Sequence, residues 1–157
     1  MSHQTETFVA DVTRFTQAVG CTTDQFNVRQ TALYIGLQLE EMAEKLEAFG
    51  LTGATFEHLR LLSKDMKEGK HDDRLANFGD REALLDADVD LAWVTIGSAL
   101  SQGADVLGAM KEVARANLDK IGPDGSVIKD GNGKVRKPEG WRGPDIAPFV
   151  KRDEVQA

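Results

Sequence analysis

Two stretches of sequence decide the fold of this chain, Gly36-Leu37-Gln38-Leu39-Glu40-Glu41-Met42-Ala43-Glu44 and Leu85-Asp86-Ala87-Asp88-Val89-Asp90-Leu91-Ala92-Trp93. Both are predicted to be helical, and both carry carboxylates where a helix normally carries apolar residues. At about 100° per residue, Asp86 and Asp90 fall on the same side of a helix as Trp93. A carboxylate on an apolar stripe is costly unless it is paired or binds a cation.

The acids of these two helices are the predicted metal ligands. Two helices facing each other with these side chains between them would form an oxygen-rich pocket, which suits a hard divalent ion. No histidine or cysteine accompanies them, so the predicted ion is Mg²⁺, with Mn²⁺ as the alternative. The predicted ligands are Glu40, Glu41, Glu44, Asp86 and Asp90.

Each of the two groups of acids also has an interpretation that requires no metal ion. The glutamates are four residues apart or adjacent, and they also fit a solvated face opposite the apolar stripe Ile35, Leu39, Met42, Leu46 and Phe49. The aspartates would fit a first helical turn, where the macrodipole favours acids. Asp80 is the predicted N-cap of that helix, however, which places Asp86 and Asp90 too deep for this effect. Whether Glu82 or Asp88 joins the site is open.

Composition limits the class of protein. A chain of 157 residues with 41% hydrophobic and 29% charged residues predicts a single globular domain spanning residues 1–157. The net charge of −7 argues against a nucleic-acid partner. The single cysteine excludes an intrachain disulfide and a cysteine-based zinc site. Since the sequence has no apolar run of membrane-spanning length and no signal-peptide pattern, we expect a cytoplasmic protein without a membrane partner.

Periodicity predicts an all-α fold. The predicted helices span about 4–19, 27–49, 55–68, 80–103 and 105–120, with a loop at 69–73. Residues 84–100 are apolar on nearly all sides, which predicts a central helix. The helical core therefore covers about 4–120, and residues 121–157 form a tail.

The tail is predicted to be non-helical and basic. Ten glycines and prolines lie between Gly122 and Pro148, and Asp130-Gly131-Asn132-Gly133 predicts a short hairpin. Cationic side chains of such a segment could close over phosphate groups, although an ordinary basic tail on an acidic body fits equally well. The candidate substrate-binding residues are Asn117, Lys120, Lys134, Lys137 and Arg142.

The acidic pattern and the tail together resemble the all-α nucleotide pyrophosphohydrolases, the MazG-like superfamily that includes phosphoribosyl-ATP pyrophosphohydrolase. Glu41 and Glu44, preceded by Glu40, match the E-x-x-E half of that family's signature. The second half departs from it, with Asp86-x-x-x-Asp90 in place of E-x-x-D. Asn117-Leu118-Asp119-Lys120 is similar to the family's N-x-x-K segment, and residues 124–146 are similar to the tail of its dUTPase-like branch.

The resemblance implies a Mg²⁺-dependent cut between the α- and β-phosphates of a nucleoside triphosphate, which gives the monophosphate and pyrophosphate. The substrate would be dUTP or another (deoxy)nucleotide, removed in a house-cleaning role. Glu41 is the residue expected to orient or deprotonate the attacking water. Because family members are dimers or tetramers with a shared bundle, the resemblance implies a homodimer or homotetramer whose helices form a fold of the four-helix-bundle type.

Two other classes of protein compete with this interpretation. A non-catalytic helical module of the same fold, for nucleotide binding or interaction, is supported by the missing glutamate of E-x-x-D. A di-iron bundle would need Glu-x-x-His on its helices, and neither His58 nor His71 is so placed. The base, the sugar, the number of metal ions and the oligomer size are left open by the sequence.

Overall fold

The computed structural model describes residues 2–131 and 134–150, and this part of the chain is helical apart from its loops and tail. The all-α prediction is thereby confirmed. The helices are α1 (Ser2–Ala18), α2 (Val28–Ala48), α3 (Ala54–Lys67), α4 (Asp72–Phe78), α5 (Arg81–Leu100) and α6 (Val106–Leu118), followed by a 3₁₀ turn at Ala147–Phe149.

Helix α4 corrects the prediction of a loop at 69–73. Gly69 ends α3 with φ +80°, and α4 then begins at Asp72. Asp72 and Asp73 lie in its first turn, where carboxylates favour the helix dipole. Seven residues are too few to show a helical period, so the pattern could not reveal this helix.

The helices form two compact units. The first contains the N-terminal stretch up to Thr23 and the described residues from Leu85 onwards, and α1 packs on α6 within it. The second spans Asp24–Leu84, and within it α2 packs on α3 and α4. No helix in the described residues is long and apolar enough to cross a membrane.

Small residues make the contact between α2 and α3. The buried residues of α2 are Ala32, Gly36 and Ala43, whereas Phe49 of the predicted apolar stripe is 81% exposed. A Cβ at Gly36 would lie 2.9 Å from the Ser63 carbonyl oxygen, and the Ser63 hydroxyl donates to the Gly36 carbonyl at 2.7 Å. The two backbones approach so closely that only glycine fits, so the apolar stripe is not the buried face.

Helix α5 contains no buried residue in the single chain. The Asp80 carboxylate accepts from the backbone N–H groups of Glu82 and Ala83, which confirms it as the N-cap. The central position predicted for this helix is not found within one chain. Its large apolar side chains are exposed, and they include Leu85, Val89, Trp93, Val94 and Leu100.

The predicted hairpin is present in the tail. Lys129 and Val135 form an antiparallel bridge, and the Arg136 N–H donates to the Ile128 carbonyl at 2.7 Å. Residues 132 and 133 of its predicted turn lie outside the described residues. The backbone thus reverses direction after α6, and the tail runs back towards that helix.

Candidate functional site

Helix α2 carries three of the predicted metal ligands in its second half. Glu40 is partly exposed, and Glu41 and Glu44 are exposed. The helix is continuous from its N-cap Asn27, whose side chain accepts from the Gln30 N–H. Glu40 and Glu44 therefore lie one turn apart on one face, as the spacing predicts.

A lysine of α3 pairs with this acid group. The Lys67 Nζ lies 2.9 Å from Glu40 Oε1. The lysine stem crosses α2 at Gly36, where an added Cβ would lie 2.7 Å from Lys67 Cγ. Gly36 therefore leaves the space through which Lys67 reaches Glu40. The sequence pattern gave no sign of this pair, because its partners come from different helices.

The carboxylates of α2 repel one another. The pKa of the Glu41 carboxyl is raised, first by partial desolvation and then by the charges of Glu44 and Glu40. An excess of negative charge within one and a half turns of helix attracts a cation. Lys67 supplies one positive charge to this group.

The remaining predicted ligands lie on α5. Asp86 and Asp90 are exposed and sit one turn apart, well beyond the N-cap at Asp80. They belong to the first compact unit, whereas the glutamates of α2 belong to the second. Among residues 2–131 and 134–150, no three His, Cys, Asp or Glu side chains are grouped in a way that could hold a metal ion. The joint metal site of both helices stays a prediction.

A second group of predicted residues is brought together at the end of α6. The Lys120 ammonium donates to Asn117 Oδ1 at 2.8 Å. It also lies 5.2 Å from the centre of the Trp141 ring and 5.7 Å from that of Phe15. The Lys137 ammonium lies 4.7 Å from the same Trp141 ring. We call Asn117, Lys120, Lys137 and Trp141 the lysine–tryptophan cluster.

The charges of this cluster are not compensated by acids. Within the described part of the chain, no carboxylate lies within ion-pair distance of Lys120 or Lys137. The pKa of Lys120 is lowered, first by burial and then by the nearby charge of Lys137. Two like charges beside one ring make a place where an anion is favoured.

Ionic contacts fix the tail on α6 beside this cluster. Arg115 binds Glu112 at 2.7 Å and Asp119 at 2.6 Å, and it donates to the Gly143 carbonyl at 3.2 Å. Glu112 accepts in turn from the Asp145 N–H at 3.1 Å. Hydrogen bonds from Arg115 and from the Asp145 backbone lower the pKa of Glu112 to about 2. Arg115 is thus neutralised within the protein, in contrast to the two lysines.

The fold has a known counterpart. The chain is similar in structure to a protein from Exiguobacterium sp. 255-15 that is provisionally named an NTP pyrophosphohydrolase, with a crystal structure at 1.78 Å resolution. The two share 22% sequence identity, and the TM-score is 0.59 over 87% of this chain and 88% of the other. At that identity the likeness shows a common fold. No family model matches the chain, and no curated protein does so.

Three of the five predicted substrate-binding residues are thus found in one place. Lys134 lies in the hairpin, where its backbone N–H donates to Asp130 Oδ1, and its side chain is exposed. Arg142 is exposed as well, and within the described residues neither side chain forms a hydrogen bond or ion pair with the lysine–tryptophan cluster. Trp141 was not among the predicted site residues. The basic residues around it gave the only sign in the sequence.

Proposed function

We propose that the protein is a metal-dependent nucleoside triphosphate pyrophosphohydrolase, which cuts between the α- and β-phosphates and releases the monophosphate and pyrophosphate. The fold shared with the Exiguobacterium protein and that protein's name support this class of reaction. The substrate we expect is dUTP or another (deoxy)nucleotide. A non-catalytic nucleotide-binding module is the competing class.

The lysine–tryptophan cluster is the observation that carries the proposal. A triphosphate bears several negative charges, and an acidic protein of net charge −7 repels it unless cationic groups are placed to receive it. Lys120 and Lys137 are such groups, because neither has an acid partner in the described residues. Asn117 adds an amide that can donate to a phosphate oxygen once its carbonyl oxygen has accepted from Lys120.

The chemistry of the acids fits a hard divalent ion. Glu40, Glu41 and Glu44 offer oxygen ligands only, and the raised pKa of Glu41 shows that the group carries more negative charge than it neutralises. With Asp86 and Asp90 they are the residues that would hold Mg²⁺ or Mn²⁺. The ion would neutralise phosphate charge and supply a bound water of lowered pKa.

Glu41 is the residue to which we assign the handling of the attacking water. Desolvation and the charges of Glu44 and Glu40 raise the pKa of its carboxyl, which makes it a stronger proton acceptor. Glu40 is held by Lys67, so its oxygen is already engaged when no metal is bound. By this assignment Glu41 accepts the proton, whereas Glu40 is paired with Lys67.

We further propose that the active form is a homodimer or homotetramer. A helix that is apolar on nearly all sides is normally buried, yet α5 exposes its large apolar side chains in the single chain. A second copy of the chain would cover them. The helices of two or more chains would then complete a shared bundle.

Pyrophosphate release from a panel of nucleotides, including dUTP, with and without Mg²⁺ tests the reaction. We expect release with at least one nucleotide only when the metal is present. Glu44→Gln and Asp90→Asn should each abolish release and leave the helical circular dichroism intact, whereas Glu47→Gln on the same helix should retain it. If every nucleotide binds and none is cut, the non-catalytic module is the correct class.

A further inference from the structure

The indole of Trp141 is fixed to the end of α6 by a hydrogen bond. Its Nε1–H donates to the Ala116 carbonyl at 2.6 Å. The last four carbonyl groups of a helix have no partner inside it. Backbone N–H groups donate to those of Arg115, Asn117 and Leu118, and the indole donates to the fourth. This hydrogen bond therefore holds the ring against the last turn of α6.

The ring of Trp141 also contacts the ammonium groups of both lysines of the lysine–tryptophan cluster. The ammonium groups of Lys120 and Lys137 lie 5.2 Å and 4.7 Å from its centre, within the roughly 6 Å range of a cation–π contact. Two ammonium groups near one ring repel each other, and long lysine side chains would separate if nothing held them. The negative face of the indole attracts both, and this offsets their repulsion.

We propose that Trp141 is a positioning residue, whose ring holds the Lys120 and Lys137 ammonium groups together as one receiver for the polyphosphate part of the substrate. This rests on the proposed function for its substrate, but it concerns binding and not the chemical step. Two adjacent positive charges match two adjacent phosphate groups better than a single carboxylate or phosphate. The ring holds Lys120, just beyond the end of α6, and Lys137 of the tail within cation–π distance of one indole.

A variant with a single tryptophan allows anion binding at this site to be followed by fluorescence. The chain has two tryptophans, so Trp93→Phe leaves Trp141 as the sole indole in the full-length protein. Inorganic tripolyphosphate is the probe, titrated without metal or nucleotide. We expect the Trp141 emission to change on binding, since an anion bound to the two ammonium groups alters the charge around the ring. Titration calorimetry on the unsubstituted protein checks that the Trp93 change leaves the affinity unaltered.

Substitutions of Trp141 separate the ring from its hydrogen bond. Trp141→Leu removes both, and it should weaken tripolyphosphate binding about tenfold. Trp141→Phe keeps an aromatic face without the N–H, and it should recover most of the affinity. In nucleotide turnover the Leu variant should raise KM and leave kcat within about twofold, because the ring contributes equally to binding of the substrate and of the transition state.

Matched lysine variants test the cations themselves. Lys120→Met and Lys137→Met should each weaken tripolyphosphate binding, and the loss should shrink as salt rises. Lys129→Met is the control, because its ammonium donates to the Val19 carbonyl and faces no ring. Equal losses for Lys129→Met and Lys137→Met would mean that general tail charge binds the anion, which overturns the proposal.

Other outcomes also decide whether the proposal for Trp141 holds. Equal weakening by Trp141→Phe and Trp141→Leu would assign the effect to the helix-capping N–H, against the role of the ring. If the Leu variant does not fold, an unchanged Trp141 emission on tripolyphosphate binding rejects the proposal. Normal binding in a protein that cuts no nucleotide would leave the anion site standing and reject the proposed reaction alone.

Discussion

Lys67 places a positive charge beside the glutamates of α2. Its ammonium lies 2.9 Å from Glu40 Oε1, and its stem fills the space left by the missing side chain of Gly36. The pair is only partly exposed on the lysine side, at 28%. Glu40 therefore differs from Glu41 and Glu44, although the sequence presents all three as equivalent acids.

Removing this lysine should tighten metal binding. In Lys67→Met, Glu40 no longer has to leave an ion pair, so the affinity for Mn²⁺ should rise by up to about fivefold, the equivalent of a partly exposed pair. Titration calorimetry on the metal-free protein measures this. Lys64→Met on the same helix is the control, since Lys64 pairs with Glu68. Weaker binding in Lys67→Met would mean that Lys67 supports the site.

Removing the charge of Glu41 should stabilise the metal-free protein at neutral pH. The folded pKa of Glu41 is raised, so its charge opposes folding when the carboxyl is ionised and has no effect once it is protonated in both states. Glu41→Gln should therefore raise the melting temperature at pH 7, by less than about 2 °C because the carboxyl is exposed.

The gain should disappear as the pH falls below the ordinary glutamate value of 4.5. Melting curves of both proteins between pH 4 and pH 7, without metal, provide the measurement. A Glu41→Gln protein that melts below the unsubstituted one at pH 7 would mean that the carboxylate makes a stabilising contact in the folded protein.

At the scale of the elements, helix termini were predictable and the packing faces were not. The side chains of Asp80 and Asp105 accept from backbone N–H groups of the helices that follow them, because a cap is a local interaction readable from sequence. The face between α2 and α3 depends on the partner helix. A stripe of large apolar residues predicted Ile35 and Phe49 as core, but the backbones meet at Gly36 and Ser63.

Filling Gly36 should disturb this contact. Gly36→Ala gains helix propensity, yet its Cβ would lie 2.9 Å from the Ser63 carbonyl oxygen and 3.1 Å from the Lys67 nitrogen, both backbone atoms. We expect a loss of about 1–2 kcal/mol in the free energy of unfolding, because overpacking outweighs propensity. Denaturant unfolding followed by circular dichroism measures it.

Gly97 of α5 is the matched control for this substitution. A Cβ there would meet no atom within 4 Å, so Gly97→Ala should be neutral or add up to about 1 kcal/mol. If both alanine variants are equally stable, α2 and α3 can separate at little cost. The close approach at Gly36 would then not set the position of Lys67.

At the scale of the whole molecule, the groups of candidate residues differ in how far the sequence could predict them. Asn117 and Lys120 are three residues apart at the end of α6, so their contact follows from local geometry. Lys137 and Trp141 join them through the path of the tail, which glycines and prolines leave unspecified. The glutamates of α2 and the aspartates of α5 belong to different compact units, and no local rule relates them.

The exposed apolar side chains of α5 lead to a prediction about assembly. Trp93 is 80% exposed, and Leu85, Val89 and Leu100 on the same helix are each more than half exposed. We expect the protein to have a mass in solution that is a multiple of its 17.2 kDa chain. Trp93→Glu places a charge where a second copy would pack, and it should weaken association by about thirtyfold or more, as for a central interface tryptophan.

Sedimentation equilibrium over a range of protein concentrations measures this association. Phe49→Glu is the control, because Phe49 is equally exposed, at 81%, but lies at the end of α2. Dissociation by Trp93→Glu alone places the interface on α5. Because Asp86 and Asp90 lie on the same helix, such an interface would also bring the acids of two chains near each other. A monomeric unsubstituted protein would leave α5 uncovered in solution, and the shared bundle would then be rejected.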